Sequence, residues 1–461
     1  MALHLSISQS PVAHKAVKAL LLLAITYLLF GLLLGVIGGF QYILPPFLKE
    51  QLAFHKTRPL HVYLVIAWLF TAAQAGIYYY LPTAIRPLFW PQGVWLHFIL
   101  QAAVSVLIIT CFFMGYFGGR EYLEFPPWLG IFVLLPWVPF AVNFFFTLKP
   151  DYKNAPVYVW SWSTGIIFFF ITLSESYLWL FSSFGNNIIR DVTIQWKALG
   201  SMVGSWNMLI YGTGMYIMEK MSGDSKACRS PLAFFFYFLG LTNLLFNWGH
   251  HTYIVPAAPW IKTVAYIISM TELLILAHII LQWRKTMTRA RKTYHSIPYR
   301  LLSFADAWIL LNLTLAIAIS VPAWNFYTHG THITVAHAMG STIGINTMLL
   351  LASVFYIIRK ENPGLLEKKK KISGYGILIT NISLLVFWIS LLGSGMERIS
   401  GKLNNEVFYT IMKKSRSWFN LFAYSGIVVL LGLVILLAVA ISVIRSKPGI
   451  PDVSDMYHGA N

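Results

Sequence analysis

Twelve apolar runs, most of them twenty residues or longer, dominate this 461-residue chain and leave almost nothing between them. They lie near 17–40, 61–81, 94–117, 127–147, 157–183, 192–219, 231–253, 259–281, 301–321, 332–358, 374–394 and 419–444. A bilayer core of about 30 Å takes about 20 helical residues to cross. The reading is an all-α membrane protein of about 12 transmembrane helices, with residues 1–461 forming a single transmembrane domain. No connection is long enough for a soluble domain, and no internal repeat is visible. The first run lacks a small-residue cleavage site, so it reads as a retained helix.

Only 11% of the residues are charged, and the net charge is +18. In a soluble protein that excess would suggest nucleic acid. Here the cations sit in short loops, where they report topology instead. One set comprises Lys15, Lys18, Lys149, Lys153, Lys220, Lys226 and Arg229, the Arg284–Arg300 loop, and Arg359 and Lys360 with the run Lys368–Lys371. The positive-inside rule puts that face, and both termini, in the cytoplasm. A last outer loop with Arg398, Lys402, Lys413, Lys414 and Arg416 runs against the rule and is outvoted. Cys111 and Cys228 are far apart and suggest neither a disulfide nor a thiolate metal site.

Polar groups inside a membrane are costly and mark function by default. His61, His250, His251 and His337 all fall in the outer third of the bilayer under this topology. Any one of them is explained by a buried hydrogen bond. Four at one depth, two of them adjacent, fit a metal or haem site better. Adjacent histidines on a regular helix point about 100° apart, so sharing a metal requires a distorted turn. Pro256 and Pro259 follow closely. His329 and His332 read as solvated or supporting loop residues. His97 and His278 read as single histidines without partners.

These residues sit in recognisable surroundings. Asn247-Trp248-Gly249-His250-His251 resembles the paired-histidine helix of bacterial nitric oxide reductases, in the haem–copper oxidase superfamily. The stretch Phe326 to His337 is similar to the lead into that family's haem-ligating helix. Gly119-Arg120-Glu121-Tyr122-Leu123-Glu124 resembles its outer-loop motif, and Glu272 falls at its spacing after the histidine pair. The likeness covers nearly the whole chain. It implies a haem–copper oxidase subunit I-like bundle in the bacterial inner membrane, carrying a low-spin and a high-spin haem b. His61 would ligate the low-spin haem and His337 the high-spin haem. His250 and His251 would hold a non-haem iron, and Glu121 would help bind a calcium near the haem propionates, with Arg120 close to those carboxylates. Glu272 would belong to the acidic surroundings of the catalytic pocket. The implied reaction is reduction of two NO to N2O, with protons from the outer side. A small cytochrome c-type subunit would deliver the electrons.

Two places depart from that family. Met339 stands where it has the second ligand of the low-spin haem. A thioether can serve there; a buried core methionine is the alternative. Leu199 stands where it has a third iron ligand, and Val203 where it has a glutamate. Positions 199 and 203 share one helix face, so one stripe has lost both its ligand and its acid. The pair could bind metal weakly with water or Glu272, or stay empty. Three alternatives to NO reduction follow. One is a non-catalytic haem protein that passes electrons or binds a gas. Another is NO dismutation. The third is a transporter, against which the absence of paired broken helices counts.

Overall fold

The computed structural model describes residues 10–148 and 152–447, with the side chains of 272–283 left undescribed. Lys149, His4 and His458 therefore lie outside the described residues.

The apolar runs become twelve long helical segments. They are α1 (Pro11–Ile43), α2 (Phe54–Ala84), α3 (Gly93–Met114), α4 (Leu129–Leu148, interrupted once), α5 (Val157–Glu175) and α6 (Ile188–Ser222). Then follow α7 (Pro231–Phe246), α8 (Pro259–Thr286), α9 (Ser296–Ser320), α10 (His332–Glu361), α11 (Lys370–Leu403) and α12 (Arg416–Ile444). Among the described residues no strand forms, and ten of these segments are long and apolar enough to span a bilayer. The other two, α6 and α8, are 35 and 28 residues long. The start of α6 carries Arg190, Asp191, Gln195 and Lys197, which lowers its mean hydropathy. Ser10, Asn187 and Ser230 cap their helices with side-chain oxygens, supplying acceptors for first-turn N–H groups.

Contacts between helix ends sort the bundle into two faces. On the basic face Glu361 closes α10 and pairs with His14 and Lys18 of α1, each at 2.9 Å. Arg291 donates to the Ser222 carbonyl at the end of α6, and the Arg359 guanidinium lies 3.9 Å over the Tyr294 ring. Asn362 donates to Lys447 after α12. On the opposite face Tyr42, at the end of α1, meets Phe54 at the start of α2 (5.7 Å) and His332 at the start of α10 (5.8 Å). The cationic loops used above to set topology thus share one face wherever they are described.

Packing is closest where glycine removes a side chain. At Gly432 a Cβ would meet Thr380 Oγ1 at 2.5 Å and its backbone N at 2.7 Å, so α12 and α11 touch almost backbone to backbone. Gly432→Leu should therefore cost about 1–3 kcal/mol through overpacking. The check is a thermal melt in detergent, with a lower midpoint than wild type; an unchanged midpoint would show that this crossing is not tight.

Candidate functional site

The face opposite the basic one gathers the histidines. α7 ends at Phe246, and the chain tightens into a 3-10 turn over Asn247–Thr252 that carries His250 and His251. This is the distorted turn that adjacent ligands require. Its tightness suits Gly249, whose Cβ would lie 2.8 Å from the Ala265 Cβ of α8. The two imidazole rings are 4.2 Å apart, centre to centre. Asn247 Oδ1 faces His250 Nδ1 at 3.1 Å and accepts from Ser269 Oγ at 2.5 Å, which fixes the first ring. The Asn325 amide donates to the His250 carbonyl (3.3 Å) and to the Ile319 carbonyl (2.9 Å). His251 stacks on Trp196 of α6 at 4.6 Å, with planes 10° apart.

His329 is not a solvated loop residue. It closes the short helix Pro322–Thr328 and turns inward, 6.4 Å from the His251 ring and 6.3 Å from Trp196. Burial lowers its basicity below the ordinary histidine range, and the Glu121 carboxylate partly offsets this. His337 lies five residues into α10 and within electrostatic range of both His250 and His251. The structure thus pairs His250 with His251, keeps His337 within electrostatic range, and gives His329 the supporting place that is one of its two sequence readings, beside Trp196, which sequence reasoning missed. The fixed spacing of eight residues between His329 and His337 was visible, but not that the corner folds back.

His61 sits elsewhere on the same face. Its Nδ1 lies 2.7 Å from the Gly31 carbonyl, leaving Nε2 uncommitted. A Cβ at Gly35 would strike the ring at 2.8 Å, so only glycine leaves the imidazole its place. Phe54 and His332 share Tyr42, and His61 and Met339 each lie seven residues, about 10 Å, further along their helices. Met339 ends a regular stretch, and α10 then widens into a π turn over Gly340–Thr347. His337 Nδ1 is buried without a protein hydrogen-bond partner.

Leu199 is buried and Val203 is packed against the core. Among the described residues no three His, Cys, Asp or Glu side chains are grouped to hold a metal. The side chain of Glu272 lies outside the described residues, as does that of His278. His97 has a partner after all, the Tyr78 hydroxyl at 3.3 Å. His332 bonds Ser394 Oγ at 3.0 Å and packs on Tyr42 and Phe419.

The outer loop closes over this region. Gly118 and Tyr122 take positive φ, which folds Gly119–Glu124 back on itself. Arg58 of α2 grips Glu121 at 2.6 Å and Glu124 at 2.7 Å. Arg120 pairs with Asp191 of α6 at 2.5 Å and lies 4.4 Å over Trp179. Burial lifts the Glu124 carboxyl above its ordinary range, and Arg58 pulls it back.

A sequence profile of the cytochrome c and quinol oxidase polypeptide I family matches residues 15–429. A nitric oxide reductase subunit of Stutzerimonas stutzeri is 24% identical over 426 residues, covering 86% of each chain. A cbb3-type cytochrome c oxidase subunit of the same organism is 21% identical over 403 residues, covering 83% of this chain and 81% of that one. Among solved structures, a heme–copper terminal oxidase dimer matches with a TM-score of 0.73 at 14% identity. The match covers 96% of this chain and 86% of that one.

Removing Arg58 tests the loop. Both ion pairs are partly exposed, so Arg58→Ala should cost roughly 1 kcal/mol. Without the guanidinium, the folded-state value of Glu124 rises further, so stability falls as pH rises through it. Urea melts should therefore show a larger penalty near pH ~8 than near pH ~5; a penalty that grows on acidification would contradict the assignment.

The profile match spans most of the chain, and the bundle has the matching fold: this protein belongs to the cytochrome c and quinol oxidase polypeptide I family, subunit I of the haem–copper oxidases.

Proposed function

We propose that this respiratory membrane oxidoreductase reduces two NO to N2O at a haem in its outer half. The balance is 2 NO + 2 e− + 2 H+ → N2O + H2O. The observation that carries this reading is the His250–His251 ring pair, 4.2 Å apart, with His329 6.4 Å from His251 and His337 within electrostatic range. The matched nitric oxide reductase chain of S. stutzeri aligns over the same length, which supports it.

The residues fit two haem b groups. His337 would hold the high-spin haem from the first turns of α10. His61 and Met339 would hold the low-spin haem from two helices. The Gly31 carbonyl fixes the imidazole, as partners of ligating histidines do. When bound, haem supplies a redox centre and an iron site for the gas. The chain's own residues orient the rings, and Trp196 shields His251 from water.

They fit a non-haem metal only in part. His250 and His251 offer two nitrogens, and Leu199 and Val203 offer none. Glu121 would help hold calcium: Arg58 takes only Oε1 of Glu121 and Oε1 of Glu124, and Oε2 of Glu124 is buried without a partner. Glu272 remains the proposed acid of the pocket. A cytochrome c-type subunit is the proposed electron donor. Residues 1–461 would form one transmembrane domain in the bacterial inner membrane, with both termini cytoplasmic. The apolar stripe at 199 and 203 favours a second reading, a haem protein that passes electrons or binds a gas without turnover.

Haem and iron counts on purified protein, with an NO consumption assay, decide between them. Two haems and N2O formation are expected. Two haems with no turnover would establish the second reading, and no haem would end both. His337→Ala should abolish the high-spin spectrum and leave the low-spin one; an unchanged spectrum refutes the ligand assignment. Leu199→His should raise non-haem metal occupancy toward one per chain, measured by elemental analysis. No gain in metal would show that the histidine pair is not a metal site.

A further inference from the structure

α9 and α11 both start at the basic face and run side by side. Trp308 Nε1 of α9 donates to Asn381 Oδ1 of α11 at 3.0 Å. Nearer the basic face, a Cβ at Gly374 would lie 2.8 Å from Nη1 of Arg300. From the second contact to the first the chain climbs about 12 Å on α9 and about 10 Å on α11, so the two helices are parallel neighbours. Their exposed apolar side chains lie about a quarter turn from the Trp308–Asn381 contact, in opposite senses, which on parallel helices is the same side. Leu378 and Ile382 form one bank of the resulting groove, and Ala307 and Leu311 the other.

Two cations stand at the mouth of this groove. Arg300 immediately precedes the apolar run of α9, and Lys371 comes just before that of α11, so both lie at the height of lipid phosphates. Lys371 is three residues from Gly374 on the same helix face, which sets it beside the Arg300 guanidinium. Glu367 already pairs with Lys370 at 2.7 Å and faces Arg359 at 3.8 Å. Arg300 and Lys371 are exposed and have no ion-pair or hydrogen-bond partner among the described residues. The positive-inside rule accounts for their side of the membrane but not for their meeting. Nor does it account for Gly374. Glycine within a helix is disfavoured relative to alanine, yet a side chain at 374 would displace the guanidinium.

We propose that this groove binds one anionic phospholipid from the leaflet on the basic face. The Arg300 guanidinium and the Lys371 ammonium hold its phosphate, and an acyl chain lies between Leu311 and Ile382. Arginine suits the place because its planar fork meets two phosphate oxygens at once. Basic pockets between membrane helices at this level take anionic headgroups. The lipid would brace two helices that both pack on the π turn of α10: Trp308 of α9 meets Gly344, and Trp388 of α11 meets Gly340. The site stands apart from the histidines and needs neither haem nor the proposed reaction.

The test uses the purified full chain, stripped of lipid in mild detergent. Native mass spectrometry counts the lipid retained after phosphatidylglycerol or phosphatidylcholine is added. One phosphatidylglycerol per chain is expected to bind ahead of the rest, with no such preference for phosphatidylcholine. Each cation near an anionic headgroup strengthens binding roughly fivefold. Arg300→Ala with Lys371→Ala should therefore weaken retention roughly thirtyfold. Lys226→Ala with Arg229→Ala removes two exposed cations from another loop of the same face and should leave it unchanged. Equal losses in the two double variants would mean diffuse surface attraction and overturn the site, as would wild-type retention in the first or equal retention of both lipids. Displacement of the lipid by excess inorganic phosphate would make this a free-anion site and overturn the lipid. If the first double variant does not fold, Gly374→Leu carries the same test, since it keeps both charges and fills the guanidinium's place; wild-type affinity there overturns the site. A second arm locates the lipid. Phosphatidylglycerol with a photoreactive diazirine on one acyl chain should label peptides of α9 and α11, and labelling spread evenly over the bundle overturns the groove.

Discussion

A helix inside a bilayer can loosen only where other groups take over its freed backbone hydrogen bonds. The site depends on two such places. At the end of α7 the turn tightens to 3-10, and the Asn325 amide reaches across from another element to the His250 carbonyl. In α10 the turn widens to π, and the Thr347 hydroxyl bonds the Thr342 carbonyl at 2.8 Å while accepting from Trp68 at 3.1 Å. Those side chains bond carbonyls in the irregular turns, and the π turn also holds Gly344, where α10 comes closest to Trp308 of α9. Irregular backbone at functional positions is a recurring device, and here each break has its own polar attendant.

Much of the fold was legible because membrane helices are written in composition. All twelve apolar runs became helices, and His61, His250, His251 and His337 lie toward the face opposite the basic one, as counting residues implied. What was not legible depends on contacts between distant segments. His329 lies in a short polar corner, and nothing local says that it turns against Trp196, 133 positions earlier. The same holds for Glu121. Its motif suggested a cation site, and nothing local says that Arg58 of α2 reaches it. Asp306 was passed over because one acid in an apolar run carries no pattern. Its setting appears only when Arg284, 3.1 Å away, is placed beside it.

The substitutions at 199, 203 and 339 look different in three dimensions. Leu199 and Val203 face a region where Trp196, one turn away, already stacks on His251. The α6 stripe has become a wall that packs rather than binds. Met339 instead sits where α10 passes from α to π geometry and keeps a position opposite to that of His337 on the helix. Under the proposed function, one departure would remove ligands from one side of the centre, and the other would exchange one ligand type for another. They bear on separate groups and need not have arisen together.

The wide turn in α10 has a consequence for comparing sequences. A π turn holds one more residue than the α turn it replaces, so the halves of this helix before and after Gly340–Thr347 are out of phase by one position. A relative with regular helix there would have one residue fewer between its counterparts of His337 and Asn346. Aligning such a pair without a gap would superimpose correctly either the half that carries His337 or the half whose Asn346 donates to Asn207, never both.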